Sequence, residues 1–575
     1  MNVTNRYMAS IFNEIADLLD IEEANPFRVR AYRNAARIIL SSPKNMATLV
    51  GEGYDLTSIK GIGKELSQKI IEIVQTGELV FLNDLKKSYP SELETLLRIP
   101  GLGPKRVLLL HENLHINTLH DLKNALKKGE LETLRGFGPK LIGSIKKGLE
   151  KKLYEEKRYR LFEVIPIAKE IIKELKDSRG LIAIEVAGSI RRRKETVHDI
   201  DIVASCAAGN DTMKRFTSLS GVDKIVMQGT TRSSVSLKSG IHVDLRVVPQ
   251  KAYGAALHHF TGSKSHNIAL RKMAVKMGLK INEYGIFKGD KRISGEREAD
   301  IYNALGLDYI VPEMRENRGE IMLAGKHRLP RLIEIKEING DLHIHTNYTD
   351  GANSIMEMAQ AAKAKGYEYI AVTDHTKHLT ISHGLNEERI QKQLEEIDRI
   401  NEKLEGITLL KSAEIDILAD GSLDLTDSIL KELDLAMCAV HYKLNLSKKE
   451  QTKRILKAIE NPYFTILAHP TGRLIGLRDP YDIDMEAIME ACLQRGCILE
   501  LNTQPDRLDI NDIHCKRAKD AGVPIAISTD AHSAKDLDLM EYGIGQGRRG
   551  WLEKEDVVNT KSLKALRALL KHISS

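Results

Sequence analysis

The chain contains no run approaching 18 uncharged apolar residues, so no hydrophobic membrane-spanning helix is expected. Its first residues, MNVTNRYMAS, lack the charged-then-apolar pattern of a secretory leader. It has no low-complexity segment. Its five cysteines, Cys206, Cys438, Cys492, Cys497 and Cys515, form no C-x-x-C pair. An odd count without close pairs argues against a disulfide framework, and a reducing cytoplasm is the expected setting. The remaining composition, 42% apolar and 29% charged over 575 residues, is that of an ordinary globular protein too long for one core.

The net charge of +6 hides a division. Residues 1–340 carry 56 Lys and Arg against 42 Asp and Glu, a net of +14. The rest carries 30 against 38, a net of −8. A basic half suits a polyanion, and an acidic, His-rich half suits cations.

The acidic half contains seven short apolar runs: DLHIHT, YIAVTDH, ITLLKSAE, LAMCAVHY, FTILAHP, CILELNT and PIAISTDAH. Each has the length of a buried parallel strand, and the stretches between them, such as 354–365 and 387–404, have helical spacing. Such a series can close into a barrel with every strand C-terminus on one face. That face would gather His343, His345, Asp350, His375, Glu414, His441, His469, Asp530 and His532. A lone His-x-His is weak evidence, but six of seven run ends carrying such donors is not what a solvated surface produces. Nine nitrogen and oxygen donors exceed the needs of one ion and point to two or three. Imidazole with carboxylate and no thiolate suits a catalytic Zn, Mn or Fe centre better than a structural zinc. Clustered metals activate water and clamp an in-line phosphate displacement, so a metallo-phosphoesterase is expected here.

In the basic half one form occurs three times: Ile59-Lys-Gly61-Ile-Gly63, Ile99-Pro-Gly101-Leu-Gly103 and Leu134-Arg-Gly136-Phe-Gly138. Each precedes a helical pattern. Glycines here allow a tight turn that exposes backbone N–H groups at a helix start, where a phosphate can bind without its bases being read. A single copy would be an ordinary helix connector; three in a basic context look like helix-hairpin-helix elements. Further on, Gly188-Ser189 is followed by Arg191-Arg192-Arg193 and by Asp199-Ile-Asp201. On a strand, Asp199 and Asp201 share one face, and a second alternating run, IHVDLRV, presents Asp244. Three carboxylates on neighbouring strands form a hard-oxygen site for two Mg²⁺, suited to nucleotidyl transfer.

Two resemblances carry the reading further. HIH, TDG, TDH, Glu414, VHY, AHP and DAH match, in order, the polymerase-and-histidinol-phosphatase (PHP) domain, over about 339–575. The resemblance implies one metal held by His343, His345, Glu414 and Asp530, a second shared through Glu414 with His441 and His469, and a third on Asp350, His375 and His532. GSIRRRKETVHDID, VDLRVVP, FTGSKSHNIALR and KINEYGIF resemble family X DNA polymerases of the polymerase beta type. The whole chain is thus similar to the PolX proteins of bacteria and archaea. By that likeness Asp199, Asp201 and Asp244 hold Mg²⁺ or Mn²⁺, and Gly188, Ser189, Arg192, Gly262 and Ser263 grip the triphosphate. Asn267 and Arg271 meet the nascent pair. His259 stands where the family commonly has Tyr beside the sugar. Lys69 aligns with the family's Schiff-base lysine and Tyr32 with its companion, while Phe27 and Asn34 depart from the pattern of active lyases.

The expected architecture is a multidomain α+β and α/β chain. It comprises an 8-kDa-like helical domain (1–90), a helix-hairpin-helix region (91–150), a nucleotidyltransferase palm with a mixed sheet (151–260) and a nascent-pair subdomain (261–318). A linker (319–338) and a (β/α)7 PHP barrel (339–575) with a Mn²⁺ or Zn²⁺ cluster complete it. The expected partners are gapped or nicked DNA with a 5′-phosphate and dNTPs, with no membrane and a monomeric chain. Against this stand a nucleotidyltransferase acting on something other than DNA, a DNA-end-binding scaffold, and a PHP phosphatase.

Overall fold

Backbone contacts divide the chain into two units, Met1–Lys157 and Arg158–Ser575. The computed structural model describes residues 5–21, 24–42, 45–88, 93–97 and 99–573. Among them no helix is long and apolar enough to cross a membrane. All five cysteines are buried and unpaired.

The described part of the first unit is helical and has two apolar cores. Helices Asn5–Ile21 and Pro26–Ser41 bury Phe12, Ile15, Leu19, Tyr32 and Ile39 in one. The other is built from Leu96, Val107, Leu110, Leu122 and Ile145. The three Gly-x-Gly turns share one backbone form: Gly61, Gly101 and Gly136 have φ of 99°, 96° and 93°, a region L residues avoid. The second glycine of each turn leads directly into a helix, Lys64–Thr76, Pro104–Leu114 or Pro139–Glu156. No side chain caps the first two of these helices, and space beside Gly63, Gly103, Gly136 and Gly138 is open. The boundary expected at 150/151 falls inside the helix Pro139–Glu156. The one expected at 90/91 lies outside the described residues.

The second unit begins with a five-stranded mixed sheet. Its order is Leu181–Val186, Asp199–Cys206, His242–Val248, Arg232–Leu237 and Val222–Met227. The only parallel pair in it is Asp199–Cys206 with His242–Val248. Helix Tyr253–Thr261 packs on that sheet and crosses the boundary expected at 260/261. Helix Lys264–Lys276 and a small antiparallel sheet, Lys280–Asn282, Gly285–Lys288 and Lys291–Ser294, follow.

Every one of the seven apolar runs forms strand. The run 407–414 is bent, giving Thr408–Lys411 and Glu414–Asp416 as separate strands. The result is a three-stranded and a five-stranded parallel sheet. The two sheets are joined through parallel bridges Ile344–Ala531 and His375–Glu414. The helices Ile355–Ala364 and Glu387–Asn401 occupy the two expected intervals.

The stretch expected as a linker is not a free tether. Glu320 is fully buried, Leu332 belongs to the same apolar core as Trp551, and Ile333 donates its N–H to the Leu552 carbonyl at 2.8 Å. Its apolar residues pack between the two halves of this unit. One close approach makes a test. Gly254 bonds through its N–H to the Glu296 carbonyl, and a Cβ there would overlap the Arg297 backbone. Gly254→Ala should destabilise the second unit by roughly 1–3 kcal/mol, read by denaturant unfolding; a neutral substitution would contradict this packing.

Candidate active sites

In the mixed sheet Asp201 lies directly opposite Asp244 on the adjacent parallel strand, and Asp199 is two residues earlier on the same face. Gly188, φ 58°, sits so close over Asp201 that any Cβ would overlap its carboxylate. The Gly-Ser and Asp-x-Asp motifs are therefore one packed object. Ser234 Oγ donates to Asp244 Oδ1, and Arg232 donates to Oδ2 at 3.2 Å. Desolvation, then the neighbouring charges of Asp199 and Asp244, push the Asp201 pKa up to about 7 despite Arg246 and Arg192. A carboxyl that keeps its proton among two others is chemistry a divalent cation relieves, so these residues fit a hard metal site.

Around them lie the residues expected to meet a nucleotide. Ser189 is in the short helix Gly188–Arg191. Arg192 donates Nε to Glu316 at 3.1 Å and Nη1 to the Thr261 carbonyl, and lies against Gly262. Ser263 caps helix Lys264–Lys276 by accepting from His266 N at 3.3 Å. Asn267 Nδ2 donates to the His259 carbonyl at 2.8 Å, while its Oδ1 is buried without a partner. Arg271, one turn on, is exposed. His259 packs edge-on to Phe260, and burial lowers its pKa.

The nine His, Asp and Glu residues of the PHP half converge at the strand ends. Glu414, buried and at the start of its strand, is the centre. Its Oε1 is 2.8 Å from His469 Nε2 and 3.2 Å from His441 Nε2. Its Oε2 is 2.8 Å from His375 Nδ1 and 3.6 Å from both His343 Nε2 and His345 Nε2. Asp530 Oδ1 approaches His345 Nε2 at 3.1 Å and His343 Nε2 at 3.6 Å. Asp350 Oδ2 approaches His375 Nε2 at 3.4 Å and His532 Nε2 at 3.6 Å. Three overlapping groups have a metal-binding spacing: His343, His345, Asp530; His375, Glu414, His441; and His345, Asp350, His375, His532. Thus His345 and His375 each stand between two of the expected sites. His469 and Asp530 adopt φ of 26° and 53°, a cost tolerated where function needs the orientation.

Several residues that sequence reasoning missed orient this cluster. Glu500 Oε1 is 2.7 Å from His343 Nδ1, and its Oε2 accepts the His469 N–H at 2.6 Å. Asp416 Oδ1 lies 3.1 Å from His441 Nδ1, and Asn502 donates to Asp530 at 3.0 Å. Such partners fix which imidazole nitrogen is free to ligate. The only trace of Glu500 in the sequence is a charge inside an apolar run, CILELNT, as Asp416 is in EIDI. Asp374, of TDH, instead accepts bonds from Thr346, Thr349 and Gln393 and braces the loop.

Burial opposes charge on His343, His345, His375, His441 and His532, but the carboxylates outweigh it at four of these five. Glu500, Asp530 and Glu414 hold His343 well above its ordinary value. Glu414 and Asp350 lift His375 to about 10. Glu414 and Asp416 lift His441 to about 9, and Asp350 with Asp530 does the same for His532. His345, buried beside His375 and His532, falls to about 3. Glu414 and Asp530 are driven well below the carboxylate range by these histidines, against their burial. The buried Nδ1 atoms of His345 and His469 have no hydrogen-bond partner. Dense donors that hold protons in place of cations fit a metal cluster.

In the first unit, Lys69 pairs with Glu65 at 3.5 Å and lies 4.6 Å over the Phe81 ring. Arg28 lies over the same ring at 5.1 Å, so Lys69 stands between a carboxylate and a guanidinium. Tyr32 donates to the same Glu65 at 3.2 Å, and burial raises its pKa to about 12.

Two predictions follow the charges. Asp201 ionises at about 7 folded against 3.8 in a model peptide, so its ionisation works against the fold above pH 3.8, increasingly until about 7. Asp201→Asn should therefore raise the melting temperature of the metal-free protein, more at pH 8 than at pH 5; no pH dependence would contradict the shift. In the PHP cluster the raised histidines stabilise the metal-free fold below pH 6.5, and that contribution is lost as pH rises through about 9 to 10. Entering Mn²⁺ must displace those protons. Calorimetric titration at pH 7 in buffers of differing ionisation enthalpy should show proton release, with affinity growing toward pH 9; buffer-independent heats would contradict it.

Comparison with known proteins fits this geometry. Four family models match: a helix-hairpin-helix domain over 3–79, a SAM-like helix-hairpin-helix tandem over 93–151, the DNA polymerase beta thumb over 256–316 and the PHP domain over 341–504. The DNA polymerase/3′-5′ exonuclease PolX of Bacillus subtilis is 36% identical, covering 98% of this chain and 98% of that protein. A probable phosphatase of Thermoanaerobacter sp. (strain X514) is 30% identical over 38% of this chain and 89% of its own length. One of Caldanaerobacter subterraneus is 29% identical over 38% and 86%.

Proposed function

Because the chain belongs to the PolX family of DNA polymerase/3′-5′ exonucleases, we propose that it is a repair polymerase that fills short DNA gaps under template direction and trims 3′ ends with its PHP half. The observation that carries this is the presence, on one chain, of two chemically distinct centres: a three-carboxylate site on a mixed sheet and an imidazole-rich site at parallel strand ends. Fused to both is a basic helical unit with three glycine turns that lead into helices.

At the palm, Asp199, Asp201 and Asp244 would hold Mg²⁺ or Mn²⁺, which aligns a primer 3′-hydroxyl with the α-phosphate and neutralises the departing pyrophosphate. Arg192 and Ser189, with Gly262 and Ser263 opposite, receive the triphosphate. Asn267 and Arg271 lie along the nascent pair, and His259 stands by the sugar. In the PHP half the nine residues would hold Mn²⁺ or Zn²⁺, which supplies a water of lowered pKa to attack the terminal phosphodiester. Gly61, Gly63, Gly101, Gly103, Gly136 and Gly138 would let backbone N–H groups meet DNA phosphates. Lys69, paired with Glu65 and close to Arg28, suits a contact to the 5′-phosphate of the gap better than Schiff-base chemistry. The chain would act as a cytoplasmic monomer. The phosphatase reading accounts for the PHP half alone and leaves the helical unit and the palm without a role.

A 5′-labelled primer in gapped DNA reports both centres. Asp199→Ala or Asp244→Ala should lower extension about 100-fold or more while trimming persists, and Glu414→Ala should do the reverse. Extension by either palm variant at the wild-type rate would sink the palm assignment. Full trimming by Glu414→Ala would remove the cluster from the nuclease.

A further inference from the structure

The loop between the Gly188–Arg191 helix and the strand carrying Asp199 is gripped by the PHP half. Arg549, 3% exposed, donates Nη1 to the Arg192 carbonyl at 2.7 Å and to Glu316 Oε1 at 3.1 Å, and Nη2 to Asp512 at 2.7 Å. The same Glu316 oxygen accepts from Arg192 Nε at 3.1 Å. Arg193, in a left-handed backbone at φ 54°, pairs with Glu541 at 2.7 Å, and its stem lies on Gly545. Glu195 receives both terminal nitrogens of Arg473, at 3.2 and 2.7 Å, and Gln546 at 3.4 Å. Glu541, Gln546 and Arg549 share the helix Met540–Arg549, and Arg473 is four residues beyond His469. Bidentate and multiply bonded arginines of this kind fix geometry, which exposed lysine pairs do not.

From this loop the Arg192 side chain reaches the Thr261 carbonyl and Gly262, within electrostatic range of Asp201. We infer that Arg549, a residue of the nuclease half, is a positioning residue for polymerisation: by holding the Arg192 carbonyl and the Glu316 carboxylate, it aims the guanidinium that receives the incoming triphosphate. The inference rests on the triphosphate role proposed for Arg192. Without Arg549, the Arg192 carbonyl loses its donor, and Glu316 and Asp512 lose the cation between them. The loop then samples other arrangements, and the loss falls on nucleotide binding before it falls on chemistry.

Single-nucleotide gap filling in Mg²⁺ by the full chain tests this, comparing wild type, Arg192→Ala, Arg549→Met and Arg549→Lys. Arg549→Met should raise the KM for dNTP about tenfold, with kcat moved less, while 3′ trimming of the same primer stays within about twofold. Arg549→Lys keeps the charge but, as a single compact ammonium, cannot span the acceptors that Nη1 and Nη2 reach separately, and should give an intermediate KM. If Arg549→Met is insoluble, Arg549→Lys decides. A wild-type KM in the soluble Arg549 variants, beside a raised one in Arg192→Ala, overturns the inference alone. An unchanged KM in Arg192→Ala overturns the reading of Arg192 and this inference with it. Loss of trimming in step with gap filling would mean general collapse of the unit and would also overturn it.

Discussion

One buried carboxylate, Glu414, organises the PHP half. Five imidazoles, those of His343, His345, His375, His441 and His469, approach its two oxygens. An apolar interior would not tolerate so many ionisable groups unless their charges were matched, by protons or by cations. The strand ends supply the convergence, because the parallel strands bring residues distant in sequence to one rim. Glu500, Asp416 and Asn502 then fix the orientation of the rings and of Asp530. The bent run 408–416 serves the same end: its break between Lys411 and Glu414 lets Glu414 bond through its N–H to the Thr373 carbonyl and point inward.

The palm solves an analogous problem with less. Two parallel strands put Asp201 beside Asp244, and Gly188 closes over Asp201 so tightly that no side chain could replace its hydrogen. The two centres are tied physically, since the segment joining Gly188 to Asp199 is bound by Arg473, Glu541, Gln546 and Arg549. Arg473 follows the His469 strand end, so one PHP loop supports both the cluster and the palm.

Local patterns made much of this legible. Run length and continuous apolar content reveal the seven strand runs, and donor residues at their ends reveal the cluster. The Asp-x-Asp pair and Asp244 follow from the period of a strand. What stayed hidden depends on partners remote in sequence. Glu500 and Asp416 look like stray charges in apolar runs until His343 and His441 are seen beside them. The stretch 319–338 resembles a tether because its motifs carry no chemistry, yet it packs on Trp551 and Leu552. The ion pairs of Glu195 and Arg193 join residues hundreds of positions apart, and no periodicity announces them. Lys69 is singled out only by the family resemblance, and its neighbours Glu65, Phe81 and Arg28 come into view only in the fold.

The most direct measurement is anomalous diffraction from crystals grown with Mn²⁺, recorded on both sides of the manganese edge. Peaks are expected in two places: among the carboxylates Asp199, Asp201 and Asp244, and as two or more closely spaced peaks around Glu414. Ordered Mn²⁺ at the palm with none among the nine residues around Glu414 would contradict a chain with two metal centres.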